Sequence, residues 1–115
     1  KNLVRYILEK TDAYYRTKKS TIPDYSNWSI EHIEPQSSKN MSDDLIGHIG
    51  NLILVPEDLN EKLGTKSFSE KKKMLIEAEI PIDPTIKKSS KWGESAVRAR
   101  ADEIAKISHH DIWSF

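Results

Sequence analysis

The chain has no cysteine among its 115 residues, so a disulfide framework and thiolate metal sites are both closed to it. It also lacks any long hydrophobic run. Its apolar stretches last only a few residues, far short of the roughly 20 that a membrane-spanning helix needs. Neither sign of charge is in excess. Eighteen basic and eighteen acidic side chains cancel, so bulk charge argues neither for nor against nucleic acid and only local patches can. No Gly-rich phosphate loop, internal repeat or low-complexity tract is present. The first residue is Lys1 rather than Met, and no signal-peptide pattern follows it. We expect a single domain over 1–115, a piece of a longer cytoplasmic protein. Hydrophobic residues make up 37% and charged residues 31%, so the few apolar side chains must be well placed.

Their placement gives the element order. Leu3, Val4, Ile7, Leu8, Thr11, Tyr14 and Tyr15 form a helical stripe over 2–17. Ser20 to Ser26, with Pro23, breaks it. Alternation from Trp28 to Ile33 predicts a short strand, stopped by Pro35. Gln36 to Asp44 reads as polar loop, and Leu52 to Val55 as a buried strand entered from Gly50-Asn51. Pro56, Glu57 and Asp58 suit the first turn of a helix that Gly64 would end. Ser67-x-x-Glu70 is a capping-box signature for a helix over 68–78. Residues 79–90, with Pro81 and Pro84, read as a connection, and a last helix is expected over 91–107. The order is helix, strand, loop, strand and three helices: an α+β chain with two strands.

Two strands do not stabilise themselves, so the polar residues placed on the hairpin are conspicuous. Glu31-His32 ends the first strand, Asn51 opens the second, and Asn60 lies in the helix after it. Histidine alone has an unperturbed pKa near neutrality and can take a proton from water. A glutamate oxygen and an asparagine carbonyl oxygen are hard ligands that suit Mg²⁺ or Mn²⁺. A base beside one such ion is a design for phosphodiester hydrolysis. Asn51, with a donor and an acceptor, could pin the loop so that His32 points inward. Neighbouring strand residues point to opposite faces, however, so Glu31 and His32 share a site only if the strand bends or ends there.

Ile30-Glu31-His32-Ile33-Glu34-Pro35-Gln36, then Ile49-Gly50-Asn51-Leu52-Ile53-Leu54, then Asn60, resemble the HNH branch of the His-Me finger (ββα-metal) nucleases. The chain is most similar to the C-terminal HNH-like domain of GmrSD-type modification-dependent restriction endonucleases. That likeness continues through Asn60-x-x-Leu63, Phe68-x-x-Lys71 and Trp92…Arg98-x-Arg100, and so spans most of the sequence. The stretch from Glu31 to Ser37 also resembles the HNH domain of RNA-guided CRISPR nucleases. The resemblance implies a ββα-metal hairpin-plus-helix core packed among additional helices. It implies His32 as general base, Glu31 and Asn60 as ligands of one Mg²⁺ or Mn²⁺, and Asn51 as the brace of the loop. No structural zinc is expected, because the cysteine pairs that brace some relatives are missing. The implied activity is DNA cleavage or nicking in the restriction of modified or foreign DNA. The domain would be the C-terminal part of a parent with an N-terminal nucleotide-hydrolysing domain.

Other side chains read more simply. His48 is a surface histidine near the Gly50-Asn51 turn, Glu34 a solvated acid, and His109-His110 tail residues. Phe68, Trp92 and Trp113 are core or helix-docking residues. Lys62, Lys66 and Lys71, with Lys72 and Lys73, follow the proposed metal-binding helix, where a phosphate backbone would pass. Lys87, Lys88, Lys91, Arg98 and Arg100 form a second basic group. Two rival readings remain: a catalytically inactive nucleic-acid-binding domain of the same fold, and a helical assembly domain whose hairpin only braces it.

Overall fold

The computed structural model describes residues 2–16 and 22–113, with side chains over 3–16 and 22–109. Thr17, Ser20 and the side chains of His110 and Trp113, which enter the sequence reading above, lie outside the described residues. The sheet has two antiparallel strands, β1 (Trp28–His32) and β2 (Leu52–Pro56). Their register sets Ser29 opposite Val55, Ile30 opposite Leu54, Glu31 opposite Ile53 and His32 opposite Leu52.

Both faces of this hairpin are covered. On one face Leu52 and Leu54 pack with Leu8 of helix α1 (Asn2–Tyr15), joined by Val4, Tyr25, Trp28 and Ile30. On the other, Ile53 and Val55 join a larger core with Ile33, Leu63, Leu75, Ile86 and Val97. Ile33 directly follows β1, and the other four partners come one each from four helices: α3 (Glu57–Leu63), α4 (Phe68–Glu77), α5 (Pro84–Lys88) and α6 (Glu94–Trp113). Leu52 to Val55 are therefore all buried, as a continuous apolar run predicts for a strand covered on two sides.

Local chemistry sets most boundaries. Ser67 and Glu70 close a full capping box at the start of α4. Gly64 ends α3 with φ 47°, a left-handed conformation that glycine adopts without steric cost. Pro56 sits one step earlier than expected, as the last strand residue and the N-cap of α3. Two short helices replace expected loop. One is α2 (Asp43–Ile46), capped by the Ser42 side chain on Leu45 N. The other is α5, capped by Asp83 on Ile86 N with Pro84 in its first turn. The last helix starts at Glu94, not 91, and runs to Trp113.

A 3₁₀ turn, Ile49–Asn51, leads into β2 and presses on α6. A Cβ on Gly50 would lie 1.9 Å from the Val97 carbonyl oxygen, so only glycine allows this approach. Arg100 fastens the same junction and is 2% exposed. Its guanidinium donates to the carbonyls of Gly50 (3.1 Å) and Leu52 (2.5 Å) and to the carboxylate of Asp83. It therefore leaves the second basic group, where the sequence pattern had placed it. Arg98, two residues earlier, stays exposed and pairs with Glu94 one turn away at 2.9 Å.

The two arginines should respond differently to truncation. Arg100→Ala strands the Asp83 carboxylate and should cost about 3–5 kcal/mol. Arg98→Ala breaks only a solvated pair and should cost at most about 1 kcal/mol. Urea denaturation of both variants checks the contrast, and equal losses would contradict it.

Candidate active site

The polar residues of the hairpin end meet side chains from two helices, α3 and α4, and from Trp92 just before α6. Glu31 is 8% exposed, which for a carboxylate demands partners. Asn60 of α3 donates its amide nitrogen to Glu31 Oε1 (3.2 Å) and to the carbonyl of Ile30 (3.3 Å). Lys71 of α4 brings its ammonium 2.8 Å from Glu31 Oε2. The same ammonium donates to the backbone carbonyl of His32 at 2.7 Å. The contact with Oε2 neutralises its charge but is not aligned as a hydrogen bond, so that oxygen keeps unfilled lone-pair capacity.

β1 ends at His32, and the register directs Glu31 and His32 to opposite faces. The two residues are linked through Lys71, which touches the side chain of one and the main chain of the other. The imidazole is half-buried, and burial pushes its pKa below the ordinary histidine value; Glu31 pulls it up and Lys71 pushes it down. A lowered pKa keeps the ring neutral at pH 7, the form that accepts a proton.

Asn51 is fully buried and its side chain makes four hydrogen bonds. Its amide oxygen accepts from Glu34 N (2.8 Å) and from Trp92 Nε1 (3.0 Å). Its amide nitrogen donates to the carbonyls of Glu34 (3.0 Å) and Ile46 (2.9 Å). Ile33 N, next to His32, donates to the Asn51 carbonyl at 2.8 Å. The turn after β1, the end of α2 and the strap before α6 are thus tied to one side chain. Trp92 in turn stacks on Phe68 at 5.0 Å between ring centroids.

The remaining expected residues are placed as follows. His48 is half-buried and caps the 3₁₀ turn, its Nδ1 accepting from Gly50 N at 3.2 Å. The Glu34 carboxylate bonds the Ser38 hydroxyl, and His109 is exposed. Lys62 and Lys66 are exposed. Lys71 is not: at 2% exposure, with its ammonium between Glu31 and His32, it cannot lie along a surface phosphate track. Lys72 is also occupied, donating to the carbonyls of Lys87 (2.6 Å) and Ser89 (2.9 Å). The sequence did hold a signal for Lys71. It falls on the 68, 71, 75 stripe of α4, whose other members face the core.

Comparison with known protein families matches residues 1–107 to the GmrSD restriction endonucleases, C-terminal domain. The chain belongs to this family. No curated protein and no solved structure matches it. A restriction-endonuclease domain raises the question of a divalent ion, and the donor chemistry at Glu31 and Asn60 fits one. Glu31 and Asn60 offer hard oxygens, and Glu31 Oε2 is a buried oxygen without an aligned donor. Among the described residues no three His, Asp or Glu side chains converge. An ion at Glu31 would therefore take most of its ligands from water and substrate.

The bonding of Asn51 carries a stability prediction. Asn51→Ala leaves the Trp92 indole, two carbonyls and an amide unpaired, each worth about 1–3 kcal/mol when buried. The total loss should exceed about 3 kcal/mol, while Trp92→Phe, which removes one donor and keeps the stack, should cost far less. Chemical denaturation of the two variants would settle the ranking, and a small loss for Asn51→Ala would remove its bracing role.

Proposed function

We propose that this domain is a divalent-metal-dependent DNA endonuclease of the HNH type, acting in restriction of modified or foreign DNA. The observation that carries the reading is the pairing of Glu31 with Asn60 from the helix after β2, one residue before the strand-ending His32, in a chain of a restriction-endonuclease family. The hairpin followed directly by α3 supports a ββα-metal description of the core.

Glu31 and Asn60 would hold one Mg²⁺ or Mn²⁺, which supplies charge neutralisation at the scissile phosphate and its leaving oxygen. His32, kept neutral by burial, takes the proton of the attacking water at its free imidazole nitrogen. Asn51 holds the backbone that follows His32. Asn60 ties α3 to β1 beside Glu31 and so fixes the carboxylate. Exposed Lys62 and Lys66 meet the phosphate backbone and add affinity without sequence preference. Targeting would then come from the parent protein, for which the reading implies an N-terminal nucleotide-hydrolysing domain and a cytoplasmic location. No described helix is long and apolar enough to cross a membrane.

One observation favours a second reading. Lys71 already neutralises Glu31, as it would in a domain that only binds DNA. Plasmid nicking separates the two. Wild type should nick supercoiled plasmid in Mg²⁺ or Mn²⁺, and His32→Ala should lose about 10²–10⁴-fold while remaining folded. Absence of metal-dependent nicking by wild type, or equal rates in the two proteins, would favour the binding domain.

The lysines should act on binding alone. Each of Lys62→Ala and Lys66→Ala should flatten the log–log salt dependence of duplex binding by about 0.9. Single-turnover nicking at saturating protein should stay near wild type. An unchanged slope in the double variant would make both residues ordinary solvated charges.

A further inference from the structure

A buried ammonium inside a proposed cation site needs an account, and the nuclease reading does not use it. Lys71 projects from α4 into the hairpin end, with 2% of its surface exposed. Its Nζ lies 2.8 Å from Glu31 Oε2 and 2.7 Å from the His32 carbonyl oxygen. It is too buried to meet a phosphate backbone. A hydrocarbon side chain would fill the same space among Ile33, Phe68 and Leu75 without the cost of burying a charge. The charge is there for its two contacts.

We infer that Lys71 is a positioning residue that serves as the resident counter-ion of Glu31, competing with the divalent ion for that carboxylate while holding the backbone at His32. The inference rests on the metal-dependent reading above. Its physics is that of one buried negative charge and two candidate positive partners. With Lys71 present, Glu31 is neutralised whether or not an ion is bound, and the hairpin end folds without metal. An incoming divalent ion meets a carboxylate that is already paired and an ammonium that repels it. Its affinity is lower than a bare buried carboxylate would give.

Removing the ammonium reverses both effects. Lys71→Met leaves Glu31 buried and unpaired, which destabilises the metal-free protein. The divalent ion then becomes the available counter-charge, and binding to the folded state stabilises it. Metal-free stability falls while the stabilisation given by metal grows. A lysine with a purely structural role would lower both melting temperatures equally.

The experiment is thermal unfolding in EDTA and in saturating Mn²⁺. The proteins are wild type, Lys71→Met, Lys71→Arg and the double variant Lys71→Met/Glu31→Gln. Mn²⁺ should raise the Tm of Lys71→Met by at least about 4 °C more than that of wild type. Lys71→Arg, which keeps a cation at the site, should respond as wild type does. The double variant should lose the added response. Equal Mn²⁺ shifts in wild type and Lys71→Met, or an added shift that survives in the double variant, would overturn the inference. If Lys71→Met is unfolded in EDTA, circular dichroism replaces the melt: recovery of helix on adding Mn²⁺ supports the competition, and its absence overturns it. Plasmid nicking by wild type, run alongside, keeps the two proposals apart. Nicking with equal Mn²⁺ shifts removes the role of Lys71 alone. An added shift in Lys71→Met without nicking by wild type removes the nuclease reading alone.

Discussion

Two strands carry the core of this domain, and every polar group that the hairpin takes inside must find its partner within the chain. A β-hairpin has two faces and few residues, so it is stable only when both faces are covered. Here α1 covers one face and a group of helices the other. Coverage also buries Glu31 near the end of β1 and Asn51 at the entry to β2, two polar residues of the candidate site. Asn51, Glu31, Lys71, Asp83 and Arg100 are all buried, and each is held by partners distant in sequence. Polar pairing at the hairpin ends therefore decides how the helices are arranged around it.

Three ties do this work. Asn51 joins the turn after β1 to α2 and to Trp92. Arg100 joins α6 to the entry of β2 and, through Asp83, to the start of α5. Lys71 joins α4 to the end of β1. Each uses a side chain with several donors to satisfy more than one backbone or carboxylate oxygen. The loss of one donor strands several groups, so single substitutions at these positions should be severe although none is apolar.

Much of this arrangement was legible in the sequence. The two strands, the capping box at Ser67 and Glu70, and the stop at Gly64 follow from local chemistry that tertiary contacts leave intact. Asn51 and Asn60 stand out because polar residues flank a buried run. What local pattern hid was direction. Lys71 and Arg100 count as surface charge when charge alone is read, yet each sits on an apolar stripe: 68, 71, 75 in α4 and 97, 100, 104 in α6. Helical phase, not charge, would have placed them inside. The short helices α2 and α5 escaped for another reason. At four and five residues they carry no periodicity, and only their caps, Ser42 and Asp83-Pro84, announce them.

Under the proposed function, the ion pair at Glu31 would link the foldability of the domain to its chemistry. In many small domains a bound metal supplies the folding energy, and the metal-free chain does not hold its shape. With no cysteine to build such a centre, this chain braces its hairpin with helices and with an internal cation. A covalently attached counter-charge is present at every metal concentration, so the geometry around His32 need not wait for an ion. The consequence is a weaker hold on any divalent ion that shares Glu31, because two cations then contend for one carboxylate. An ion held weakly beside a preformed backbone is free to complete its coordination with substrate phosphate. On the proposed reading its strongest attachment would form when DNA is bound, so a stable metal-free state and a substrate-dependent cation would be two results of the same lysine.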